Sequence, residues 1–382
     1  MAEFDESNGR EAEEREGTNG RNAPELACGT GDPALTVPRE LWPSNHDQRK
    51  KLVLHIDLNN TILVSDTVIA QGIEAALDHF LSTVTWGKMS KKGKWEWLSD
   101  SASLLPPCDD AVSYHSHFGK IAGFTSAAGR RFRGILDEHL ELLRWPEGTK
   151  ASIGDRELSV KGEGGQLYHW ILPSFFQLLK DLVQEGREFA IIFRSFGSDL
   201  PRVLSAVSRV LNEGAHPLFP DLPDLKLNVN TTPGKIRCSR RGIVVSRAKE
   251  SISTRDGERS LYQYFSSVQG LGGFQDHYDW WATNTFSIRG GKPLWVDPFD
   301  QHVQHIFIDD HIRQDDEHTI VHPKVFLDPG GTETRTACTS ELYDITLVQT
   351  DLLRAISHPS YFTQRVHICL ENYERNLQQG AD

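Results

Sequence analysis

A chain of 382 residues with a net charge of −12 can bury a large core without covalent support, and its acidity argues against general binding to nucleic acid or anionic membranes. The five cysteines, Cys28, Cys108, Cys238, Cys338 and Cys369, are dispersed and form no C-x-x-C pair, which argues against a disulfide framework and a zinc cluster and fits a reducing compartment. The acidic start has no apolar signal core and no apolar run approaches the roughly 20 residues that span a bilayer, so a soluble, cytoplasmic protein is expected.

Residues 1–48 are rich in Glu, Gly, Asn and Pro, a composition that cannot offset its ordering entropy, so a disordered acidic tail is expected. An apolar run from Leu52 to Ile56 then ends in Asp57, followed by Leu58, Asn59, Asn60 and Thr61. In an open parallel α/β sheet, a polar residue just past the carboxyl end of a buried strand faces the ligand crevice, which makes Asp57 a candidate for chemistry. Capping of the next turn is the competing role. Apolar residues at helical spacing predict a helix over 69–84. The stretch W-G-K-M-S-K-K-G-K-W-E-W interleaves Trp86, Trp95 and Trp97 with Lys88, Lys91, Lys92 and Lys94. A hairpin with inward tryptophans and wet lysines outweighs an aromatic-basic ligand surface.

A helix is predicted over about 132–144, and turn-rich sequence fills 148–165. The next helix opens after Pro173, stops at Gly186 and leads into a buried strand over 189–193. That strand ends in F-R-S-F-G-S-D-L, which sets Ser195 in the position corresponding to Asp57. Ser198 or Asp199 reads as the N-cap of a helix running to Gly214. From 214 to 291 the pattern is irregular, with a strand over 243–245, helices over 260–268 and 277–281, and a basic loop at Lys235, Arg237, Arg240 and Arg241 that reads as solvated.

Gly290, Gly291 and Lys292 precede the apolar stretch 294–296, and the short strand 305–308 ends in Asp309 and Asp310. Two adjacent carboxylates after an apolar run repel unless a cation or a lysine compensates them, and Mg²⁺ prefers a few carboxylate oxygens plus water. His302, His305, His311, His318 and His322 match no zinc spacing and read as structural or surface residues. A last sheet strand is predicted over 321–327, with closing helices over 342–356 and 364–377.

Asp57 with Thr61, Ser195, Lys292, and Asp309 with Asp310 thus stand in order along the chain. In that order the chain resembles the haloacid dehalogenase superfamily of hydrolases, over roughly residues 50–330. The resemblance implies an α/β, Rossmann-like and mainly parallel sheet flanked by helices over 49–335, with cap or lid insertions at about 85–165 and 214–285, and C-terminal helices over 336–382 packed on the core. It implies Asp57 as nucleophile toward a phosphorylated small molecule. Mg²⁺ would be held by Asp57, Asp309, Asp310 and the backbone carbonyl of Asn59, while Thr61, Ser195 and Lys292 would bind the phosphoryl group. The chain departs from the superfamily at Asn59, where its phosphatases carry a second aspartate that protonates the leaving group. An amide cannot do this, and general acid-base help is worth about 10²- to 10⁴-fold. A module that binds a phospho-ligand or a protein without turnover is therefore the alternative function.

Overall fold

The computed structural model describes residues 50–64, 72–120, 122–146, 155–314 and 317–379. The expected acidic tail over 1–48 lies outside them. In chain order the eight strands of the central sheet are β1 (Lys51–Asp57), β2 (Phe189–Ser195), β3 (Gly234–Ser239), β4 (Gly242–Arg247), β5 (Glu250–Ser253), β6 (Gly270–Gln275), β7 (Val303–Asp309) and β8 (Leu347–Gln349). They are ordered β5-β4-β3-β6-β2-β1-β7-β8, parallel from β3 through β6 to β8, with β4 and β5 added as an antiparallel edge.

Every residue of β1 is buried, because a central parallel strand is covered on both faces. Its side chains alternate between two cores. Leu52, Leu54 and Ile56 join one with helices α1 (Ile73–Thr83), α2 (Pro173–Gln184), α3 (Leu200–Glu213) and the C-terminal helix Tyr361–Gln379, while Val53 joins the other with Leu261, Tyr262 and Phe265 of the helix Glu258–Ser267. The result is a mixed α/β molecule with a large, mostly parallel sheet flanked by helices. Among the described residues, no helix is long and apolar enough to cross a membrane.

The hairpin expected around the tryptophans forms from Trp86–Met89 and Trp95–Trp97. Trp97 stacks on Tyr114, with ring centroids 5.4 Å apart, and the four lysines are exposed. Other expectations need correction. The stretch 214–285 supplies β3 to β6 and is part of the sheet, although its scattered prolines and glycines hide the strands. Val321–Phe326 is not the last strand of the central sheet: it pairs with Lys292–Val296 and Thr334–Thr336 in a separate three-stranded sheet. The last central strand is β8, inside the predicted helix over 342–356. That helix breaks into Thr339–Leu342 and Leu352–Ser357, the second started by Asp351, whose carboxylate accepts the Arg354 N–H.

Candidate functional site

The strand register sets the first part of the site. Ile56 is paired with Ile308 and Asp57 with Arg194, so Asp57, Ser195 and Asp309 end three adjacent parallel strands side by side. Beyond Asp57 the chain folds tightly over itself, with the N–H groups of Thr61, Ile62 and Leu63 all donating to the Leu58 carbonyl. Asn60 takes the left-handed conformation this turn requires, at φ 55°, which asparagine tolerates better than most residues. Thr61 is enclosed, and its Oγ1 accepts the Asp310 N–H at 3.1 Å. It therefore holds the acidic loop from behind and is absent from the cavity wall where substrate binding was expected.

Lys292 arrives from the other sheet, as the first residue of its strand. It sits there because Gly291 packs against the Ile320 backbone, where a Cβ would lie only 2.4 Å from the carbonyl oxygen. Lys292 Nζ reaches Asp57 Oδ1 at 2.5 Å and Asp309 Oδ2 at 2.8 Å, with the lysine 1 % exposed. Asp309 Oδ1 meanwhile accepts the His311 N–H. One carboxylate oxygen each from Asp57, Asp309 and Asp310 lie within 4.8 Å of one another.

The three carboxylates, when ionised, outnumber the one ammonium that bonds them, a surplus that a bound cation would balance. Burial, reinforced by Asp309, lifts Asp57 to about 7 against the pull of Lys292. Burial and the charges of Asp309 and Asp57 hold Asp310 well above the ordinary carboxylate range. Burial disfavours the Lys292 ammonium, but Asp309 and Asp57 outweigh it and raise its pKa. The oxygen-only donor set suits a hard cation, and the raised carboxylate pKa values are the electrostatic cost that such a cation would relieve.

These groups open on a cavity of about 510 Å³. Asp57, Asn59, Asn60, Ser195, Lys292 and Asp310 line its polar side, and Phe196, Tyr278 and Trp281 its aromatic side. Asp309 is fully buried behind the cavity. Ser195 Oγ accepts the Gly197 N–H at 3.0 Å, which leaves its hydroxyl proton to donate. The 14-residue helix α3 begins two residues after cavity-lining Ser198, so its positive end adds to the preference for an anion.

No family model, curated protein or solved structure matches this chain. Its site is interpreted from its own geometry.

One functional feature escaped the sequence reading. Arg194, in the otherwise apolar strand β2, is fully buried and grips Asp276 with both ends of its fork, at 2.6 and 2.9 Å. It also bonds the Pro293 carbonyl at 3.1 Å, next to Lys292, and meets His55 Nδ1 at 3.1 Å. His55 continues to His305 at 3.0 Å and His305 to Ser266 at 2.9 Å. Burial lowers the pKa of both histidines, that of His305 to about 3, so both are neutral near pH 7. The signal for this network was the charge itself, since a buried arginine requires a partner. The other histidines converge on no metal: among the described residues, the cluster able to hold one is acidic.

Proposed function

We propose that the chain is a Mg²⁺-dependent phosphoryl hydrolase of the haloacid dehalogenase type, with Asp57 as nucleophile and a phosphorylated small molecule as substrate. The observation that carries this reading is the meeting of Asp57, Asp309 and Asp310 beside Lys292, at the carboxyl ends of parallel strands and against a 510 Å³ cavity. A structural ion pair needs one carboxylate, whereas this arrangement gathers two buried acids and a half-buried third beside open space.

In this reading an Asp57 oxygen attacks phosphorus, the bond from phosphorus to the leaving oxygen breaks, and the resulting aspartyl-phosphate is hydrolysed by water. Lys292 holds the Asp57 carboxylate in place through the 2.5 Å contact and screens the incoming phosphoryl charge. Ser195 donates its hydroxyl proton to a phosphoryl oxygen. Mg²⁺ held by Asp57, Asp309 and Asp310, with Asn59 alongside, would neutralise charge between nucleophile and phosphoryl group.

Asn59 favours a second reading, a phospho-ligand or protein-binding module with little turnover, because an amide that cannot donate a proton as an acid does stands in place of the superfamily's usual acid-base aspartate. A phosphate-release screen over many phosphoesters, with and without Mg²⁺, separates the two. Mg²⁺-dependent release that is lost in Asp57→Asn supports the hydrolase. Binding of a phosphate analogue with no release from any ester supports the module.

A further inference from the structure

We infer that the site takes aryl phosphates, monoesters whose leaving group is a phenol. This rests on the phosphoryl-transfer reading of the same pocket, and two independent features lead to it.

The first is the cavity wall. Phe196 follows Ser195 directly, and its ring centroid lies 5.1 Å from Lys292 Nζ, so an aromatic face begins where the phosphoryl group would end. Trp281 stacks on Phe196, with centroids 5.3 Å apart and 15° between planes, and Tyr278 meets Phe196 edge-on at 5.8 Å. Phe286 extends the wall outward, edge-on to Trp281 at 5.1 Å and 43 % exposed. An aromatic shelf running from the carboxylates to the surface matches a ring attached to phosphate through a single oxygen. Moreover, Trp281 is 9 % exposed, lines the cavity, and has an Nε1–H with no partner among the described residues. A buried indole N–H ordinarily finds an acceptor, and a ligand in this cavity can supply one.

The second feature is Asn59. An aliphatic alkoxide leaves slowly unless it is protonated, whereas a phenol with a pKa near 10 departs as phenoxide with far less assistance. Asn59 thus sets an amide at the cavity wall where the superfamily resemblance would place the acid that alkyl esters need, and the cavity carries the surface that aryl esters fit. The step balances without any further reagent. The Asp57 oxygen–phosphorus bond forms as the phosphorus–phenoxide bond breaks, and the phenoxide keeps the electron pair and takes a proton from water. A second water then cleaves the aspartyl-phosphate to orthophosphate and restores the carboxylate.

The test pairs binding with turnover in the full-length protein. Calorimetry in Mg²⁺ compares phenylphosphonate with propylphosphonate, and steady-state kinetics compare phenyl phosphate with propyl phosphate. We expect about tenfold tighter binding of the phenyl ligand, the scale of one aromatic contact together with its buried area, and a larger preference in turnover. Trp281→Leu should remove most of the binding preference. Tyr278→Ala, at a position 43 % exposed and therefore safe for folding, should reduce it two- to threefold. Equal or preferential use of the propyl compounds, with Mg²⁺-dependent phosphonate binding intact, overturns the aryl assignment and leaves the phosphoryl site standing. If neither phosphonate binds in Mg²⁺, the phosphoryl reading fails and takes this inference with it. A phosphotyrosyl peptide that binds tighter than phenyl phosphate, and loses the advantage in Phe286→Ala, places the aryl group on a protein; equal binding places it on a small molecule.

Discussion

Replacing Lys292 with methionine probes the centre of the site, because the unbranched side chain keeps most of the apolar stem and loses the ammonium with its charge and its two hydrogen bonds. The ammonium is 1 % exposed and bonds two buried carboxylates at 2.5 and 2.8 Å. Removing one partner of a buried ion pair costs about 3–5 kcal/mol, since the charges left behind stay desolvated. Asp57 can escape part of that cost by taking up a proton, so the loss should depend on pH. Burial already lifts Asp57 to about 7, above its unfolded value, so the folded state loses stability as pH rises from about 4 through 7. Without Lys292 the Asp57 pKa rises further, and each additional unit is worth about 1.4 kcal/mol once the pH exceeds the wild-type value. At pH 5 Asp57 is protonated in both proteins and only the Asp309 contact is lost; at pH 8 both contacts are lost. Urea unfolding followed by tryptophan fluorescence, without divalent cations, should therefore show Lys292→Met destabilised by about 2–3 kcal/mol at pH 5 and by about 1–2 kcal/mol more at pH 8. A loss below about 1 kcal/mol, or one independent of pH, would refute the claim that this lysine neutralises Asp57.

Asp309→Ala should abolish the thermal stabilisation that Mg²⁺ gives the wild type, which is about 2.7 kcal/mol at a hundredfold excess over Kd, as read by scanning fluorimetry. An unchanged shift would mean that the cation binds elsewhere. Asn59→Asp should raise alkyl phosphomonoester turnover by up to about 10²- to 10⁴-fold, in kcat more than in KM, and the gain should vanish when Asp57→Asn is added. Arg194→Met should destabilise the protein by about 3–5 kcal/mol by stranding buried Asp276, and Arg194→Lys should recover only part of that loss because it cannot form the two-pronged contact. Full recovery with lysine, measured by urea unfolding, would show that charge alone suffices there.

The strands that carry the site were legible because parallel strands covered on both faces read as predominantly apolar runs, and each of these ends in a polar residue: β1 at Asp57, β2 at Ser195 and β7 at Asp309. Strand β6 lies just as deep, between β3 and β2, yet its sequence is G-L-G-G-F-Q. Its glycines remove the apolar signal for a packing reason, since a Cβ on Gly273 would lie 2.5 Å from Leu200 Cδ1. β8 was hidden differently, as three residues inside a longer helical pattern. Motif order foretold that Lys292 belongs with Asp57, but the contact depends on a second sheet that periodicity does not reveal. Arg194 was the neglected clue. A guanidinium inside F-A-I-I-F-R-S must be neutralised, and its partner, Asp276, is the residue that follows β6, bonded through its N–H to the Ser195 carbonyl. The hidden strand and the missing counter-charge are therefore one omission. Asking what neutralises Arg194 leads to Asp276, and Asp276 can reach it only if the glycine-rich segment before it runs beside β2.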